Sequence, residues 1–239
     1  MAGALLTVAD ADVRIGTGLI VRGLSLEVMA AETVCLLGRN GAGKTTTIRA
    51  IIGSVPLATG QLWFNGKDLT SAPAYQRAVA GIAWAPQDRR LFRDLTVAEN
   101  LAVAARFTHT RDDAPAWTEA LVYALFPPLD ERRRQPAGLL SGGEQRMLAI
   151  ARALVTNPKL LLLDEVTDGL APIVVERLFD TVRDIAAAGT AILLAEQNIH
   201  FAAALASRGY LIDKGTIRAA GRVSALLTDE TLVASHLAF

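Results

Sequence analysis

The chain has 239 residues, of which 51% are hydrophobic and 20% charged, and its 24 basic residues balance its 24 acidic residues. This length fits one large domain or a core with an inserted subdomain, and the apolar content excludes a disordered chain. The zero net charge argues against a protein that binds nucleic acid through a basic face, so we expect no nucleic-acid partner.

The N-terminus and the apolar runs indicate how the chain relates to membranes. The opening stretch MAGALLTVADADV lacks a basic region and carries two early acidic residues, which is atypical of a signal peptide. No apolar run reaches the roughly 20 residues that span a bilayer, so a membrane role would require a partner. The single cysteine, Cys35, lies in the apolar run TVCLLG. We expect it to be a buried packing residue, in a reducing compartment.

The first third of the chain has the pattern of strands. LLTVADADVRI and LIVRGLSLEV predict strands, and the continuous apolar run TVCLLG is typical of a strand covered on both faces. A helix should begin at Lys44 and end near Gly53. The Asn-Gly pair in GQLWFNGKDL indicates a hairpin or turn, and GIAWAP predicts a buried strand closed by Pro86.

From about 88 to 157 the pattern changes to periodic apolar helices. TVAENLAVAARF and TEALVYALF predict two of them, with breaks at RDDAP and at FPPLDERRRQPAG. The triple arginine Arg132–Arg134 in the second break is interpreted as a solvated loop rather than a binding patch.

Strands and helices alternate in the last third. The patterns predict, in order, a strand KLLLLD, a helix APIVVERLFDTVRDIAAAG, a strand TAILLAE, a helix HFAAALASRG, a strand pair YLID and TIRAAG around Lys214-Gly215, and a terminal helix. This alternation predicts an α/β fold with a parallel sheet, an antiparallel N-terminal portion and a helical insertion.

The stretch GRNGAGKT matches the phosphate-loop pattern G-x-x-x-x-G-K-[ST] through Gly38, Gly43, Lys44 and Thr45. Glycines let successive backbone N–H groups converge on a phosphate, and the following helix adds the positive end of its dipole. Lys44 would reach the β- and γ-phosphates, and the Thr45 hydroxyl would coordinate Mg²⁺. The alternative is an ordinary turn, which the flanking strand and helix disfavour.

Two acidic residues end the apolar strand KLLLLDE. An apolar strand can carry carboxylates only at its end, where they meet a cation or water. Asp164 fits the Walker-B role of holding Mg²⁺, and Glu165 could polarise the attacking water. The alternative is an acidic residue at a helix N-terminus. Gln87, after the strand GIAWAP, could contact both Mg²⁺ and that water, or be an ordinary turn residue.

A second glycine turn, Ser141-Gly142-Gly143, opens the helix in LSGGEQRMLAIARAL. One nucleotide cannot have its γ-phosphate enclosed by two helix N-termini on the same side. We therefore expect two copies to pair so that each copy's Ser141 turn faces the γ-phosphate held by the other copy's Lys44. The turn also fits a capping box in which Ser141 caps the helix together with Glu144, and both interpretations can hold.

In this order along the chain, GRNGAGKTT, APQ, LSGGEQ and LLLLDE resemble the motifs of the ATP-binding cassette (ABC) family of transport ATPases, and the resemblance covers essentially the whole chain. RRLFRDLTVAENL, LSGGEQRMLAIARAL, DGLAP and LLAEQN are similar, more narrowly, to ATPase subunits of branched-chain amino-acid importers, which are related to uptake systems for urea, amides and aromatic acids. The resemblance implies one ABC ATP-binding domain over 1–239. Its P-loop NTPase (RecA-like) core, with an antiparallel β subdomain, would comprise 1–87 and 158–239. Its inserted α-helical subdomain would comprise 88–157 and carry the signature motif.

Carried over position by position, the resemblance implies an ATPase that uses ATP and Mg²⁺. The residues implied to bind the nucleotide are Gly38, Arg39, Asn40, Gly41, Ala42, Gly43, Lys44, Thr45 and Thr46 in the phosphate loop, Ile15 beside the adenine, and Ser141, Gly142, Gly143, Glu144 and Gln145 across the interface. Thr45, Gln87 and Asp164 are implied to serve Mg²⁺. Glu165, Gln87 and Gln197 are implied to act in hydrolysis, with Glu165 as the general base.

The resemblance also implies partners. A homodimer, or a heterodimer with a second ABC ATPase subunit, would dock on integral membrane permeases at the cytoplasmic face of the inner membrane. A groove near Gln87 would receive the permease's coupling helix, and a periplasmic solute-binding protein would deliver the solute.

The chain departs from the common family pattern at the switch position, where Gln197 replaces the usual His. Glutamine can hydrogen-bond a phosphate but carries no charge, so we expect weaker support of the transition state. His200 could substitute, although a helix-surface histidine fits it better. Ile15 replaces the usual adenine-stacking aromatic, and Val166 and Ala171 replace the usual Pro and Asp.

Two other functions remain open at this point. One is a soluble ABC ATPase of the DNA-repair or translation type, although such proteins usually carry two cassettes or a long coiled-coil insertion. The other is a nucleotide-gated subunit of low activity beside a more active ATPase, which Gln197 permits and Glu165 opposes.

Overall fold

Two sheets form the framework of the computed structural model, which describes residues 3–108, 117–229, 231, 232 and 235. The strands are β1 (Ala4–Ile15), β2 (Gly18–Met29), β3 (Thr33–Leu37), β4 (Leu57–Phe64), β5 (Lys67–Asp68), β6 (Ile82–Ala85), β7 (Leu160–Asp164), β8 (Ala191–Glu196), β9 (Arg208–Asp213) and β10 (Thr216–Arg222). A four-stranded antiparallel sheet has the order β2-β1-β4-β5. A six-stranded sheet has the order β10-β9-β3-β8-β7-β6, and it is parallel except where β10 pairs with β9. The predicted α/β class with an antiparallel N-terminal portion is confirmed.

The helices cover the sheets and fill the stretch between β6 and β7. They are α1 (Lys44–Ile51), α2 (Ala74–Val79), α3 (Val97–Ala105), α4 (Glu119–Leu125), α5 (Pro127–Glu131), α6 (Gly142–Leu154), α7 (Pro172–Ala187), α8 (Ile199–Leu205) and α9 (Val223–Thr228), with a 3-10 turn at Ala137–Leu139. The predicted break RDDAP lies at 111–115, outside the described residues. Within the described ranges, every helix is too short or too polar to cross a bilayer.

The parallel sheet separates two hydrophobic cores. Alternate side chains of β3 enter opposite cores: Val34 and Leu36 pack with α1 and the antiparallel sheet, and Cys35 and Leu37 pack with the helices that follow β6. The expectation of a strand covered on both faces is confirmed. Cys35 is a fully buried free thiol, as predicted, and burial raises its pKa to about 12.

The carboxyl ends of the parallel strands bring the motif residues to one edge of the sheet. β3 leads into the phosphate loop, β7 ends at Asp164, β8 ends at Glu196, and β6 ends two residues before Gln87. These four strands are consecutive in the sheet, in the order β3-β8-β7-β6. Ligands of open α/β sheets bind at this edge.

One local prediction was wrong at its C-terminal end. The predicted helix HFAAALASRG ends at Leu205, and Gly209 lies in β9, where an added Cβ would come within 2.4 Å of the Cys35 sulfur. Arg208 fixes this strand through two hydrogen bonds to Glu32, of 2.8 and 2.9 Å.

The triple arginine was predicted to be a solvated loop. It forms a turn directly after the short helix α5, with Arg133 and Arg134 exposed, so this prediction is confirmed, although its first two members also make defined contacts. Arg132 pairs with Glu144, and Arg133 pairs with Asp130 and lies 4.0 Å from the centre of the Tyr123 ring.

We expect Gly215→Ala to destabilise the fold by about 2 kcal/mol or more. Gly215 has φ of 79°, its N–H donates to Ala42 O in the phosphate loop, and an added Cβ would lie 1.9 Å from Ile20 O. Gly66→Ala is the matched control, since its φ is 75° but no atom lies within 4 Å of the added Cβ. Urea unfolding of both variants should give the larger loss for Gly215→Ala, and equal losses would contradict the steric argument.

Candidate functional site

The phosphate loop between β3 and α1 has a backbone that only glycine tolerates at key points. Gly41 and Gly43 have φ of 79° and 113°, and an added Cβ at Gly38 would lie 2.4 Å from Ile212 O. Gly43 precedes the first turn of α1, whose N–H groups receive no side-chain cap. This uncapped helix start leaves backbone donors for an anion.

Lys44 is buried at the centre of this loop, with 2% of its surface exposed. Its Nζ donates to the carbonyls of Gly38 and Arg39, at 2.6 and 2.9 Å, and lies 3.0 Å from Glu165 Oε1. A buried ammonium requires such acceptors, because leaving it unpaired is costly. The structure therefore joins the predicted phosphate-binding cation directly to the predicted general base.

Asp164 and Thr45 form the second contact between the loop and β7. The Thr45 hydroxyl donates to Asp164 Oδ1 at 3.0 Å, and the other carboxylate oxygen, Oδ2, is buried and has no hydrogen-bond partner among the residues that the structure describes. Burial is the main cause that raises the Asp164 pKa, to about 6. A buried carboxylate with a free oxygen beside a threonine hydroxyl fits the oxygen ligands that Mg²⁺ prefers.

Glu165 follows β7 with φ of 47°, in the left-handed region that non-glycine residues rarely adopt. Its N–H donates to Ala195 O, which extends the pairing of β7 and β8 by one residue. This backbone turn explains how neighbouring carboxylates reach different partners, Asp164 towards Thr45 and Glu165 towards Lys44. Local strain of this kind is common at functional sites.

Gln197 and Glu165 line the same cleft, of about 620 Å³, together with Asp168 and His200. Gln87 reaches the rim of this cleft because its Nε2 donates to Asp168 Oδ2 at 3.1 Å. The structure thus brings Glu165, Gln197 and Gln87 to one region, while their roles in hydrolysis stay predictions.

The second glycine turn forms the predicted capping box. Glu144 N–H donates to the Ser141 hydroxyl at 3.3 Å, and Ser141 N–H donates to Glu144 Oε2 at 2.8 Å. The turn is exposed at Ser141 and Gly142. Among the described residues, no hydrogen bond joins 141–145 to 38–46. The contact of this turn with a nucleotide on another copy stays a prediction, as does that of Ile15, which is 47% exposed at the end of β1.

Three residues that the sequence analysis missed connect these motifs. Buried Arg146 donates to the carbonyls of Pro86 and Gln87, at 3.0 and 2.9 Å, and burial lowers its pKa. Arg89 donates to Gln145 Oε1 at 3.0 Å. No local pattern marks either arginine in the sequence.

Buried Glu196 is the third missed residue. It accepts from the backbone and the hydroxyl of Thr167, at 3.1 and 2.9 Å, and burial raises its pKa. Its place at the end of the apolar strand AILLAE is a signal that could have identified it.

The chain is similar to ABC transporter ATP-binding proteins in both sequence and fold. The ABC transporter family profile matches residues 21–168. The chain is 42% identical to the high-affinity branched-chain amino acid transport ATP-binding protein BraG of Pseudomonas aeruginosa, over 90% of this chain and 91% of that one. It is 36% identical to the lipopolysaccharide export system ATP-binding protein LptB of Escherichia coli K12, over 88% of each chain.

Among solved structures, the fold is similar to MJ1267, an ATP-binding cassette of an ABC transporter, in its ADP conformation. The TM-score is 0.83 and the identity 26%, over 97% of both chains.

We expect Asp164→Asn to stabilise the metal-free, nucleotide-free protein by about 1 kcal/mol at pH 7. Because the folded-state pKa of Asp164 is raised from 3.8 to about 6, this group makes the wild-type protein less stable as pH rises through that interval. The gain should therefore shrink below pH 6. Thermal unfolding with EDTA between pH 5 and 8 measures it, with the exposed Asp168→Asn as control. A lower melting temperature for Asp164→Asn would contradict the argument.

Proposed function

The chain belongs to the ABC transporter family, and on that premise we propose that it is the ATPase subunit of an importer for branched-chain amino acids or a related small solute. Membership of the family makes it an ATP-binding ATPase, and the P-loop NTPase fold predicted from the sequence is confirmed. The observation that carries the importer proposal is the 42% identity to BraG along nearly the full length of both chains.

In the proposed reaction, the phosphates of ATP replace Glu165 as the anionic partner of Lys44. The phosphate loop and the start of α1 then hold the β- and γ-phosphates, and Glu165 is released to accept a proton from the attacking water. When bound beside Asp164 and Thr45, Mg²⁺ would neutralise the charge on the phosphates. Gln197 would support the γ-phosphate by hydrogen bonding alone.

The complete site requires a second ATPase subunit, either another copy of this chain or a non-identical relative. The turn is exposed at Ser141 and Gly142, and within the described part of the chain no hydrogen bond joins it to the phosphate loop, which leaves it open to the nucleotide of a partner. ATP would then lie in the interface, and its hydrolysis would remove the phosphate that both subunits hold.

We divide the chain into a nucleotide-binding core, 1–87 and 158–239, and a helical subdomain, 88–157, that carries the Ser141 turn. Two arginines connect α6 to Gln87 and to the segment that follows it, since Arg146 donates to the Gln87 carbonyl and Arg89 donates to Gln145. A displacement of Gln87 on ATP binding would therefore move α6 and its N-terminal turn.

A groove of about 820 Å³ lies between α2 and the helical subdomain. Its exposed apolar side chains include Tyr75, Val79 and Phe107, exposed by 67, 68 and 67%. Four arginines also line it (Arg89, Arg90, Arg106 and Arg152), and none of its described lining residues is acidic. Apolar patches of this kind mark binding surfaces. We propose that it receives the coupling helix of a permease at the cytoplasmic face of the inner membrane, where a periplasmic binding protein supplies the solute.

A second candidate function is export, because LptB relatives cover the chain at 36% identity. Measurement of solute uptake in a strain that lacks the gene distinguishes the two functions. If the protein is an export ATPase, its deletion would leave the import of leucine, isoleucine and valine unchanged. The soluble type of ABC ATPase would show no association with membranes.

We expect Glu165→Gln to trap a dimer in ATP and Mg²⁺, because it removes the general base and weakens the competing pair with Lys44. Analytical ultracentrifugation of the variant, alone and with the natural partner subunit, measures the dimer. A monomer under every condition would contradict the interface proposal.

Lys44→Ala should weaken ATP binding by about a hundredfold or more, since it removes the buried phosphate-binding cation. Unchanged ATP affinity in this variant would contradict the phosphate-loop assignment.

Phe107→Asp should reduce both the membrane-bound fraction of the protein and leucine uptake in a complemented deletion strain, because it places a charge in the proposed docking groove. ATP binding by the purified variant should be unchanged. Leu121→Asp is the matched control, since Leu121 is 46% exposed on α4 and does not line the groove. Full uptake with Phe107→Asp would exclude the groove as the docking site.

A further inference from the structure

Glu144 carries a negative charge at the N-terminus of α6, within the turn that is proposed to bind the γ-phosphate of a partner. Its Oε2 accepts from Ser141 N–H at 2.8 Å, and its side chain is only 18% exposed. A carboxylate stabilises a free helix N-terminus because it complements the dipole. The same charge repels a phosphate that approaches this N-terminus. The Glu144 carboxylate therefore stabilises the helix in the free chain but disfavours the proposed ATP-bound dimer.

Arg132 compensates this charge. Its Nε lies 2.9 Å from Glu144 Oε1, the oxygen that does not cap Ser141. The guanidinium is held in place on its other side, where it donates to Pro128 O at 3.2 Å and to Glu131 Oε2 at 3.1 Å. The carboxylate of Glu144 thus bridges Arg132 and Ser141, and α5 positions the cation beside the Ser141 turn.

We propose that Arg132 is a positioning residue for the ATP that is bound across the subunit interface. It neutralises Glu144 and fixes the Ser141-Gly142-Gly143 turn in the form that accepts the γ-phosphate of the partner subunit's nucleotide. This inference rests on the proposed function, and it assigns a role to a residue that lies outside the phosphate-loop, signature and switch motifs.

If the Arg132–Glu144 ion pair only stabilised the fold, removal of Arg132 would lower thermal stability and leave ATP-dependent dimerisation unchanged. The Arg132 side chain is 37% exposed, and ion pairs with this exposure contribute little to folding stability. Removal of Arg132 should therefore leave thermal stability nearly unchanged. An effect on ATP-driven dimer formation is expected only if the charge of Glu144 acts on the phosphate.

The test uses the full chain in the Glu165→Gln background, with its natural partner subunit where one is needed, and measures the ATP-dependent dimerisation constant. Arg132→Gln should weaken dimerisation by about tenfold or more, because it leaves Glu144 uncompensated beside the incoming phosphate. Arg132→Lys should retain most of the affinity. Arg132→Gln combined with Glu144→Gln should recover the affinity of Glu144→Gln alone, since no charge then needs compensation.

Arg133→Gln is the matched control, because it removes the same charge one residue away, from a side chain that pairs with Asp130 and packs on Tyr123. It should dimerise like the parent. If Arg133→Gln weakened dimerisation as much as Arg132→Gln, the effect would come from net charge rather than from the contact with Glu144, and the proposal would be overturned. Unchanged dimerisation in Arg132→Gln, or a loss that Glu144→Gln does not restore, would also overturn it. If the parent with Arg132 intact never dimerises, the proposed interface fails, and this inference fails with it.

Discussion

The contact between Lys44 and Glu165 is the interaction on which the site depends. Burial of the Lys44 ammonium is tolerable only because two carbonyls and one carboxylate surround its Nζ. Phosphates are the natural replacement for that carboxylate, since they supply more charge and more acceptor oxygens. In the absence of nucleotide, this contact therefore stabilises the phosphate loop. It also keeps the carboxylate of Glu165, the proposed general base, paired with Lys44 until a nucleotide binds.

The parallel sheet makes this contact possible because it brings the ends of distant segments together. Lys44 and Glu165 lie far apart in sequence, but β3 and β7 are separated only by β8. The left-handed conformation of Glu165 then turns its side chain towards the loop, while Asp164 stays aligned with Thr45. An isolated apolar strand would gain nothing from a strained residue at its end, so this backbone distortion is best understood as part of the site.

The sequence predicted the features that depend on local pattern. The phosphate loop, the carboxylates at the end of β7 and the capping box of Ser141 each follow from a few neighbouring residues, and the structure places them as expected. The pairs Arg146–Gln87, Arg89–Gln145 and Arg132–Glu144 were missed because each joins segments that meet only in the folded chain. The predicted end of the helix HFAAALASRG was wrong for the same reason, since helical periodicity cannot reveal that Gly209 must pack against Cys35 in β9.

The two glycine turns differ in a way that suits a cycle of binding and release. The start of α1 has no side-chain cap, so its N–H groups can satisfy their hydrogen bonds only with water or an anion. The start of α6 carries a capping box, in which the Ser141 hydroxyl accepts from Glu144 N–H and the Glu144 carboxylate accepts from Ser141 N–H. In the proposed dimer, a phosphate at this turn would therefore meet fewer open N–H groups than at α1, and a nearby negative charge. If the Ser141 turn binds nucleotide as proposed, the nucleotide should therefore bind the phosphate loop first and more tightly, and the Ser141 turn later and more weakly. In the proposed dimer, loss of the γ-phosphate would then release the weaker of the two contacts, and the dimer would open while the rest of the nucleotide is still held by the phosphate loop.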